Sequence, residues 1–223
     1  TEPLLSSVYG IRTEVIYQEE NGTLIPRAVV PRQPKPMSPE SIRVPGSLLK
    51  KLFQQGKENP QIILITGLSG VGKTTWCARL ADLAEKEGFH VRGILSPGIY
   101  QDGQKTAINA KDIESQEAGK LAILRDRTTD ELSTPRWQFN PETLAWANQI
   151  LTAIDTCDLL ILDELGPLEF LRGKGLTAGM RLVDRGDCRV ACVVVRSSLV
   201  PKALQRWPGA IVVSGVMHPS PDL

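Results

Sequence analysis

Residues 67–74 combine glycines, a lysine and a threonine at a spacing suited to binding phosphate. They read GLSGVGKT and fit the pattern G-x-x-x-x-G-K-[ST]. Glycine permits backbone conformations that a side chain would forbid, so that successive backbone N–H groups can point at phosphate oxygens. The positive end of a following helix would add to the attraction for an anion. The segment therefore predicts a phosphate-binding loop.

The lysine and the threonines that close this loop have distinct predicted roles. Lys73 is placed to neutralise the β- and γ-phosphates of a nucleotide, and the Thr74 hydroxyl is placed to hold Mg²⁺. Thr75 is expected to cap or pack nearby. The predicted nucleotide-binding set is Gly67, Leu68, Ser69, Gly70, Val71, Gly72, Lys73, Thr74 and Thr75.

The flanking segments supply the order of strand, loop and helix that such a loop requires. Residues 62–65 are an unbroken apolar run, as expected of a parallel strand that is buried on both faces. Residues 76–86 have the composition and spacing of a helix, which Gly88 is predicted to end. This context favours a true phosphate-binding loop over a glycine-rich turn that only resembles one.

A second apolar run, residues 159–162, ends in two adjacent acids. A phosphate-binding loop needs a carboxylate at the carboxyl end of a neighbouring strand to hold the hydration shell of Mg²⁺, and Asp163 is predicted to supply it. The backbone turns at the strand end, so Glu164 can reach a water molecule beside the γ-phosphate and act as its base. Thr74 and Asp163 are therefore the predicted metal ligands.

Cations later in the chain are candidates for stabilising charge in a transition state. Arg196 directly follows the apolar run 190–195, and ligands bind at the carboxyl ends of parallel strands. We predict that it senses the γ-phosphate, the alternative being a salt bridge. Arg172 and Lys174 could act on transition-state charge or serve solubility alone. The predicted catalytic set is Lys73, Glu164 and Arg196.

The part of the chain between the two motifs is predicted to contain an antiparallel hairpin. A strand region at 91–100, a turn and a returning strand at 105–110 make up this insertion. The polar residues 111–135 carry no predicted element. Tyr100 and Trp137 are aromatic candidates for contacting a nucleobase, the alternative for each being a place in the core.

Three regions are predicted along the chain. Residues 1–59 form an N-terminal extension with a β-hairpin at 13–30, a proline-rich linker and a short helix at 48–53. Residues 60–214 form the main domain, in which a helix from Asn140 to about residue 155, a loop at 166–170, a helix at 176–185 and a strand at 210–213 follow the hairpin. Residues 215–223 are a tail.

Composition narrows the possible classes of protein. The 26 Lys and Arg residues balance 25 Asp and Glu residues, so nothing in the totals suggests a nucleic-acid or membrane surface. No apolar run is long enough to cross a bilayer, and the expected location is cytoplasmic. The four cysteines lack metal-ligand spacing and are expected to be buried, reduced thiols: Cys77, Cys157, Cys188 and Cys192.

Together, the phosphate-binding loop, the hairpin around residues 100–108 and the segment LILDELGPLE at 160–169 resemble the THEP-type nucleoside-triphosphatases. The resemblance spans about residues 60–214. It implies an α/β fold with a RecA-like P-loop core, a mostly parallel sheet and Mg²⁺-dependent hydrolysis of ATP, GTP and other nucleoside triphosphates. It places Glu164 on the attacking water and matches Glu169 to an acid that orients the site. Pro167 and Leu168 depart from the family pattern, which more often has a basic residue and Met.

Three functions are compatible with the sequence. Hydrolysis of a nucleoside triphosphate leads, because Glu164 is placed for water. A small-molecule or nucleotide kinase would use the same acids on a substrate hydroxyl. A nucleotide-dependent assembly or regulatory subunit would dock on a larger complex through residues 1–45. The chain has no Asn-Lys-x-Asp motif, which disfavours a GTP-specific switch, and it could form oligomers.

Overall fold

The computed structural model describes residues 13–20, 23–31, 53, 59–125 and 131–214. The predictions for the proline-rich stretch after residue 31, for the short helix other than Phe53 and for the tail at 215–223 lie outside these residues. In the extension, β1 (Thr13–Glu20) and β2 (Thr23–Pro31) pair antiparallel, which confirms the predicted hairpin.

The described part of the main domain contains both strands and helices. Its strands are β3 (Gln61–Thr66), β4 (Val91–Leu95), β5 (Gly98–Gln101), β6 (Gln104–Asp112), β7 (Ala118–Leu124), β8 (Trp137–Phe139), β9 (Cys157–Leu165), β10 (Cys188–Val195) and β11 (Ile211–Ser214). Its helices are α1 (Lys73–Lys86), α2 (Pro141–Thr152), α3 (Pro167–Arg172), α4 (Thr177–Arg185) and α5 (Val200–Arg206). None of these helices is long and apolar enough to cross a membrane.

One half of the main sheet is parallel and holds both sequence motifs. In the order β11-β3-β10-β9-β4, every neighbouring pair of strands is parallel. The phosphate-binding loop therefore leaves β3 at the same edge of the sheet at which Asp163 and Glu164 end β9. Helices cover both faces of such a sheet, which explains why its strands are almost continuously apolar and buried.

The two motif strands are not neighbours, so the prediction of a neighbouring strand for Asp163 is wrong. β10 lies between β3 and β9 and pairs with both. Two strand spacings separate the loop from the acids by roughly 10 Å across the sheet. Arg196, which directly follows β10, stands at the end of the strand between them.

The other half of the sheet is antiparallel and larger than the predicted hairpin. β6 pairs antiparallel with β4, β5 and β7, and β7 pairs with β8. The sequence prediction missed β7, because its residues alternate weakly and lie among charged ones. Within the described residues, nine strands form this mixed sheet, so the expectation of a mostly parallel α/β sheet holds for the half that carries the motifs.

Two further predictions of local structure need correction. Residues 167–172 form α3 and not a loop, because Pro167 occupies the first turn of the helix and Glu169 accepts the N–H of Gly166 just before it. The prediction also missed α5, which is only 7 residues long. By contrast, the predicted start of α2 is confirmed, since the Asn140 side chain accepts the N–H groups of Glu142 and Thr143.

Phe53 is a described residue of the N-terminal extension, and it packs on the core. It is 3% exposed and belongs to the apolar cluster formed by α1 and one face of the sheet. Its ring stacks on Phe89 with 3.9 Å between centroids. Arg189 donates a hydrogen bond to the Phe53 carbonyl at 2.9 Å. At this residue, the extension is therefore held against the main domain.

The cysteines divide into two kinds. Cys77 and Cys192 are free and buried, as predicted, and burial raises the pKa of Cys192 to about 12. Cys157 and Cys188 lie opposite each other at the beginning of β9 and β10, with 4.7 Å between Cα atoms, and form a disulfide. The prediction of reduced thiols is therefore wrong for this pair, which only the register of the two strands brings together.

Candidate active site

The phosphate-binding loop has the backbone that its glycines predict. Gly67, Gly70 and Gly72 have φ angles of 142°, 81° and 89°, a region that residues with side chains rarely adopt. Gly72 is the N-cap of α1 in a left-handed conformation, so the helix begins at Lys73 and the loop leads straight onto its N-terminus. This geometry turns backbone N–H groups of the loop and of the first helical turn toward one site.

Lys73 folds back over the loop. Its Nζ donates to the carbonyl oxygens of Gly67 at 3.0 Å and Leu68 at 2.8 Å. Burial lowers the pKa of Lys73, and the negative charges of Glu164 and Asp163 oppose that shift. Neutral carbonyl oxygens therefore hold the ammonium group, and the charges of both acids act on it. An anionic ligand would bind this ammonium group more strongly than the carbonyl oxygens do.

Asp163 is the buried centre of the site. It is 1% exposed, and its Oδ2 accepts the backbone N–H of Ser96 at 3.0 Å. Burial raises its pKa, while hydrogen bonds from Ser96 and from the Thr74 side chain oppose the rise. The two residues predicted to share a metal ion, Thr74 and Asp163, thus lie close enough to influence each other despite the strand between β3 and β9.

Glu164 lies beside Asp163 and is more open to solvent. Its side chain is 33% exposed, and Oε1 accepts a hydrogen bond from Nε of Arg196 at 2.8 Å. From its place after β10, Arg196 is predicted to sense the γ-phosphate or to form a salt bridge. The structure shows the salt bridge, which Arg196 forms with Glu164. The guanidinium has further N–H groups that this bond leaves free for another anion.

The motif residues meet around a small cavity of about 50 Å³. Its polar wall comes from the loop helix, the ends of β4 and β9, and the residue after β10. Its apolar wall comes from the antiparallel strands, α2 and the start of α4. The lining residues with polar or charged side chains include Thr74, Ser96, Lys105, Glu164, Glu169 and Arg196. A cavity of this size holds a few water molecules.

Glu169 braces the wall of this cavity. It is 8% exposed, and its two carboxylate oxygens accept the N–H groups of Gly166 at 2.7 Å and Leu176 at 2.9 Å. Burial raises its pKa, and these backbone hydrogen bonds oppose the rise. It thereby ties the start of α3, which directly follows β9, to the start of α4. The predicted role of Glu169 in orienting the site stays a prediction, and its observed hydrogen bonds go to backbone N–H groups.

Several other candidates lie away from the cavity. Arg172 donates to the Ser133 carbonyl at 2.6 Å, and Lys174 pairs with Glu131, so both hold the segment before β8. Trp137 is 4% exposed and belongs to the buried part of the molecule. Tyr100 is 59% exposed on β5. Of the two aromatic candidates, only Tyr100 presents its ring to solvent.

Sequence reasoning missed two residues of the cavity, Ser96 and Lys105. Ser96 is 6% exposed, and its buried Oγ has no hydrogen-bond partner among the described residues. Lys105 is the second residue of the returning strand β6 and approaches Asp163 and Glu164 closely enough that their charges act on its pKa. Ser96 follows an apolar strand, as Asp163 does, and that position could have identified it. Lys105 carried no such signal.

The sequence and the fold were compared with known proteins. The sequence model of a family described as NTPase matches residues 62–213. The nucleoside-triphosphatase THEP1 of Methanosarcina barkeri is 33% identical over 142 residues, which cover 61% of this chain and 77% of that protein. The nucleoside-triphosphatase THEP1 of Methanosarcina acetivorans is 32% identical over 147 residues, which cover 63% and 79%.

Two solved structures share the fold. The crystal structure of THEP1 from the hyperthermophile Aquifex aeolicus matches with a TM-score of 0.52 and 21% identity, over 73% of this chain and 92% of that one. The solution structure of a human cancer-related nucleoside triphosphatase matches with a TM-score of 0.54 and 18% identity, over 69% and 88%. At these identities the likeness concerns the fold alone.

Proposed function

The chain belongs to the THEP1-type nucleoside-triphosphatases, and we propose that it hydrolyses nucleoside triphosphates, either ATP, GTP or several of them, to the diphosphate and phosphate with Mg²⁺. One observation carries the proposal. Thr74 and Glu164 line the same cavity, and the Thr74 side chain lies close enough to the buried carboxylate of Asp163 to act on its pKa. The phosphate-binding loop and a base for water therefore share one site.

The roles of the residues follow from their chemistry. Backbone N–H groups of residues 67–75 and the Lys73 ammonium would bind the β- and γ-phosphates. Thr74 and Asp163 would hold Mg²⁺, which when bound offsets negative charge on the phosphates. Glu164 would orient and deprotonate the attacking water. Arg196 would hold Glu164 in place and use its free N–H groups to sense the γ-phosphate.

The residues at this site suit Mg²⁺, which does not require a site built entirely from protein ligands. The described residues contain no cluster of three or more His, Cys, Asp or Glu side chains that could hold a metal ion. Mg²⁺ usually takes one or two protein ligands and completes its shell with water and substrate phosphates. The pair of Thr74 and Asp163 matches this requirement, and the unpartnered Ser96 Oγ nearby is available to a coordinated water.

The lining of the cavity favours water over a second substrate. A kinase needs polar groups that hold an acceptor hydroxyl beside the γ-phosphate, but one wall of the described cavity consists of apolar side chains such as Leu144 and Phe139. A kinase reaction is therefore the weaker proposal, and phosphate release without an acceptor separates the two.

Two finer proposals concern architecture and partners. The order of the parallel strands, with β10 between β3 and β9, supports a RecA-like core at residues 60–214. The hairpin β1–β2 is a separate two-stranded sheet, and such a pair is marginally stable unless it packs on something else. This supports docking of residues 1–45 on a partner protein or on the main domain, in keeping with an assembly or regulatory role.

The test is a phosphate-release assay on the full chain with ATP, GTP, CTP and UTP, with Mg²⁺ or with EDTA. We expect Mg²⁺-dependent release with at least one of the four. Lys73→Ala should lose nucleotide binding, and Glu164→Gln should bind nucleotide without turnover. Exposed Lys86→Ala, at the other end of α1, is the matched control for Lys73. Equal turnover in Glu164→Gln and the parent would remove Glu164 from the mechanism.

A further inference from the structure

Lys105 is a cation on the cavity wall that the proposed mechanism does not use. It lies on β6, in the antiparallel half of the sheet, and lines the cavity together with Thr74, Ser96 and Glu164. Its ammonium group makes no hydrogen bond or ion pair with the residues that the structure describes. The contact it does make is with the Trp137 ring, at 5.7 Å from the centroid.

The charges around Lys105 are those of the active site. Burial is the largest influence on its pKa and lowers it, whereas the charges of Glu164 and Asp163 raise it and those of Arg136 and Lys73 lower it again. A half-buried ammonium without a bonded anion is unfavourable, because desolvation is not offset by a direct partner. An anion bound beside Lys105 would offset that cost.

The local backbone is shaped to hold the Lys105 side chain. Gly98, at the start of β5, faces its aliphatic stem: a Cβ at position 98 would lie 2.5 Å from Cε and 3.1 Å from Cδ of Lys105. The absence of a side chain there lets the stem lie against the strand, so that the ammonium points toward the cavity. The hairpin thus directs Lys105 toward the cavity, and the groove that holds its stem is the space left by the missing side chain of Gly98.

We propose that Lys105 binds the transferring γ-phosphoryl group and stabilises the charge that develops on it during hydrolysis. This inference rests on the proposed function and adds to it a second cation, supplied from the antiparallel half of the sheet. Lys105 would act as an arginine finger does in other phosphoryl-transfer enzymes, with the cation supplied by the same chain. Lys73 reaches the nucleotide from α1, whereas Lys105 reaches it from β6, so the phosphoryl group would lie between two separate parts of the fold.

The test compares Lys105→Met with Lys105→Arg in the full chain, with the triphosphate that the parent hydrolyses fastest. We expect kcat of Lys105→Met to fall by about 10²-fold or more, the usual effect of removing one group that stabilises transition-state charge. Affinity for the corresponding diphosphate should stay within about twofold, since it lacks the γ-phosphate. Lys105→Arg should recover part of kcat, because it keeps the charge.

A second variant displaces the side chain without removing it. Gly98→Val should push the Lys105 stem out of its groove and lower kcat in the same direction. Lys120→Met, an exposed lysine on the neighbouring strand β7, is the matched control and should behave as the parent. If Lys105→Met does not fold, as judged by circular dichroism, Lys105→Gln applies the same test with a polar side chain of similar length.

The outcomes separate this inference from the function on which it rests. A kcat within about threefold of the parent for Lys105→Met, beside inactive Lys73→Ala and Glu164→Gln, would overturn the role of Lys105 and leave the hydrolase intact. Equal losses of kcat and diphosphate affinity would also overturn it, because they would show general support of the site. If Lys73→Ala and Glu164→Gln retain full activity, the proposed function itself fails, and the role of Lys105 fails with it.

Discussion

Arg196 donates a hydrogen bond from Nε to Oε1 of Glu164 over 2.8 Å, although 32 residues separate them in sequence. The contact exists because β10 lies between the strand that carries the loop and the strand that carries the acids. An arginine placed after the middle strand can reach the proposed base on one side and the phosphate site on the other.

The first prediction concerns this pair. Arg196→Ala should lower kcat by about 10²-fold, because Glu164 loses the partner that orients it. Combined with Glu164→Asp, which keeps a carboxylate, the losses should be less than additive, as expected of residues that act as a unit. Fully additive losses in steady-state kinetics would show that Arg196 acts on the phosphate independently of Glu164.

A second prediction concerns the brace formed by Glu169. Glu169→Gln places an amide N–H₂ against one of the two backbone N–H donors, so the free energy of unfolding should fall by about 1–3 kcal/mol. Gly175→Ala should act similarly, since a Cβ there would overlap the Glu169 carboxylate and the φ of Gly175 is +79°. Urea denaturation measures both. Gly103→Ala is the control for Gly175→Ala, because Gly103 has a similar φ of +75° but nothing within 4 Å of an added Cβ. Unfolding free energies equal to the parent's would contradict the brace.

A third prediction is a pH dependence of stability at Asp158. Its Oδ1 accepts from Arg189 at 2.6 Å and its Oδ2 from the His90 N–H at 2.9 Å. Burial alone would raise the pKa of Asp158, but the hydrogen bonds from His90 and Arg189 outweigh it and hold the pKa below its ordinary value of 3.8. A carboxyl group whose pKa is lower in the folded state than in the unfolded state stabilises the folded state while it is charged. This stabilisation is present above the unfolded-state pKa and is lost as the pH falls through the folded-state pKa.

Asp158→Asn should therefore lower the free energy of unfolding by about 1 kcal/mol at neutral pH, a value that allows for partial exposure of the pair. The difference from the parent should shrink as the pH falls from about 5 to 3. Asp102→Asn, in an exposed turn, removes the same charge without a partner and is the control. A difference that stays constant with pH would show that the Asp158 charge does not contribute.

A fourth prediction separates the role of Phe53 from that of residues 1–45 in the N-terminal extension. Phe53→Ala should lower the free energy of unfolding by about 3 kcal/mol, because it leaves a cavity in a buried cluster. Leu171→Ala is the control, since Leu171 is 55% exposed. Deletion of residues 1–45 retains Phe53 and should leave nucleotide affinity unchanged. Loss of nucleotide binding on that deletion would show that the hairpin belongs to the active domain.

Much of the site follows from the sequence, because its two motifs are local. The spacing of glycines in residues 67–74 and the position of Asp163 after an apolar strand are properties of short segments. The side chains of such segments are positioned by the strand and helix that flank them. Lys105 had no comparable signal, since a lysine beside a turn has the same local sequence whether it faces solvent or a cavity.

The sequence by itself determined the loop, the acids and the chemistry they can perform, because these depend on residue types and local backbone. Only the tertiary structure decided that β10 separates the motif strands, that Arg196 meets Glu164, that Cys157 meets Cys188 and that Lys105 completes the cavity wall. These contacts depend on strand order and register. Both are set by the packing of the whole sheet, which no local pattern encodes.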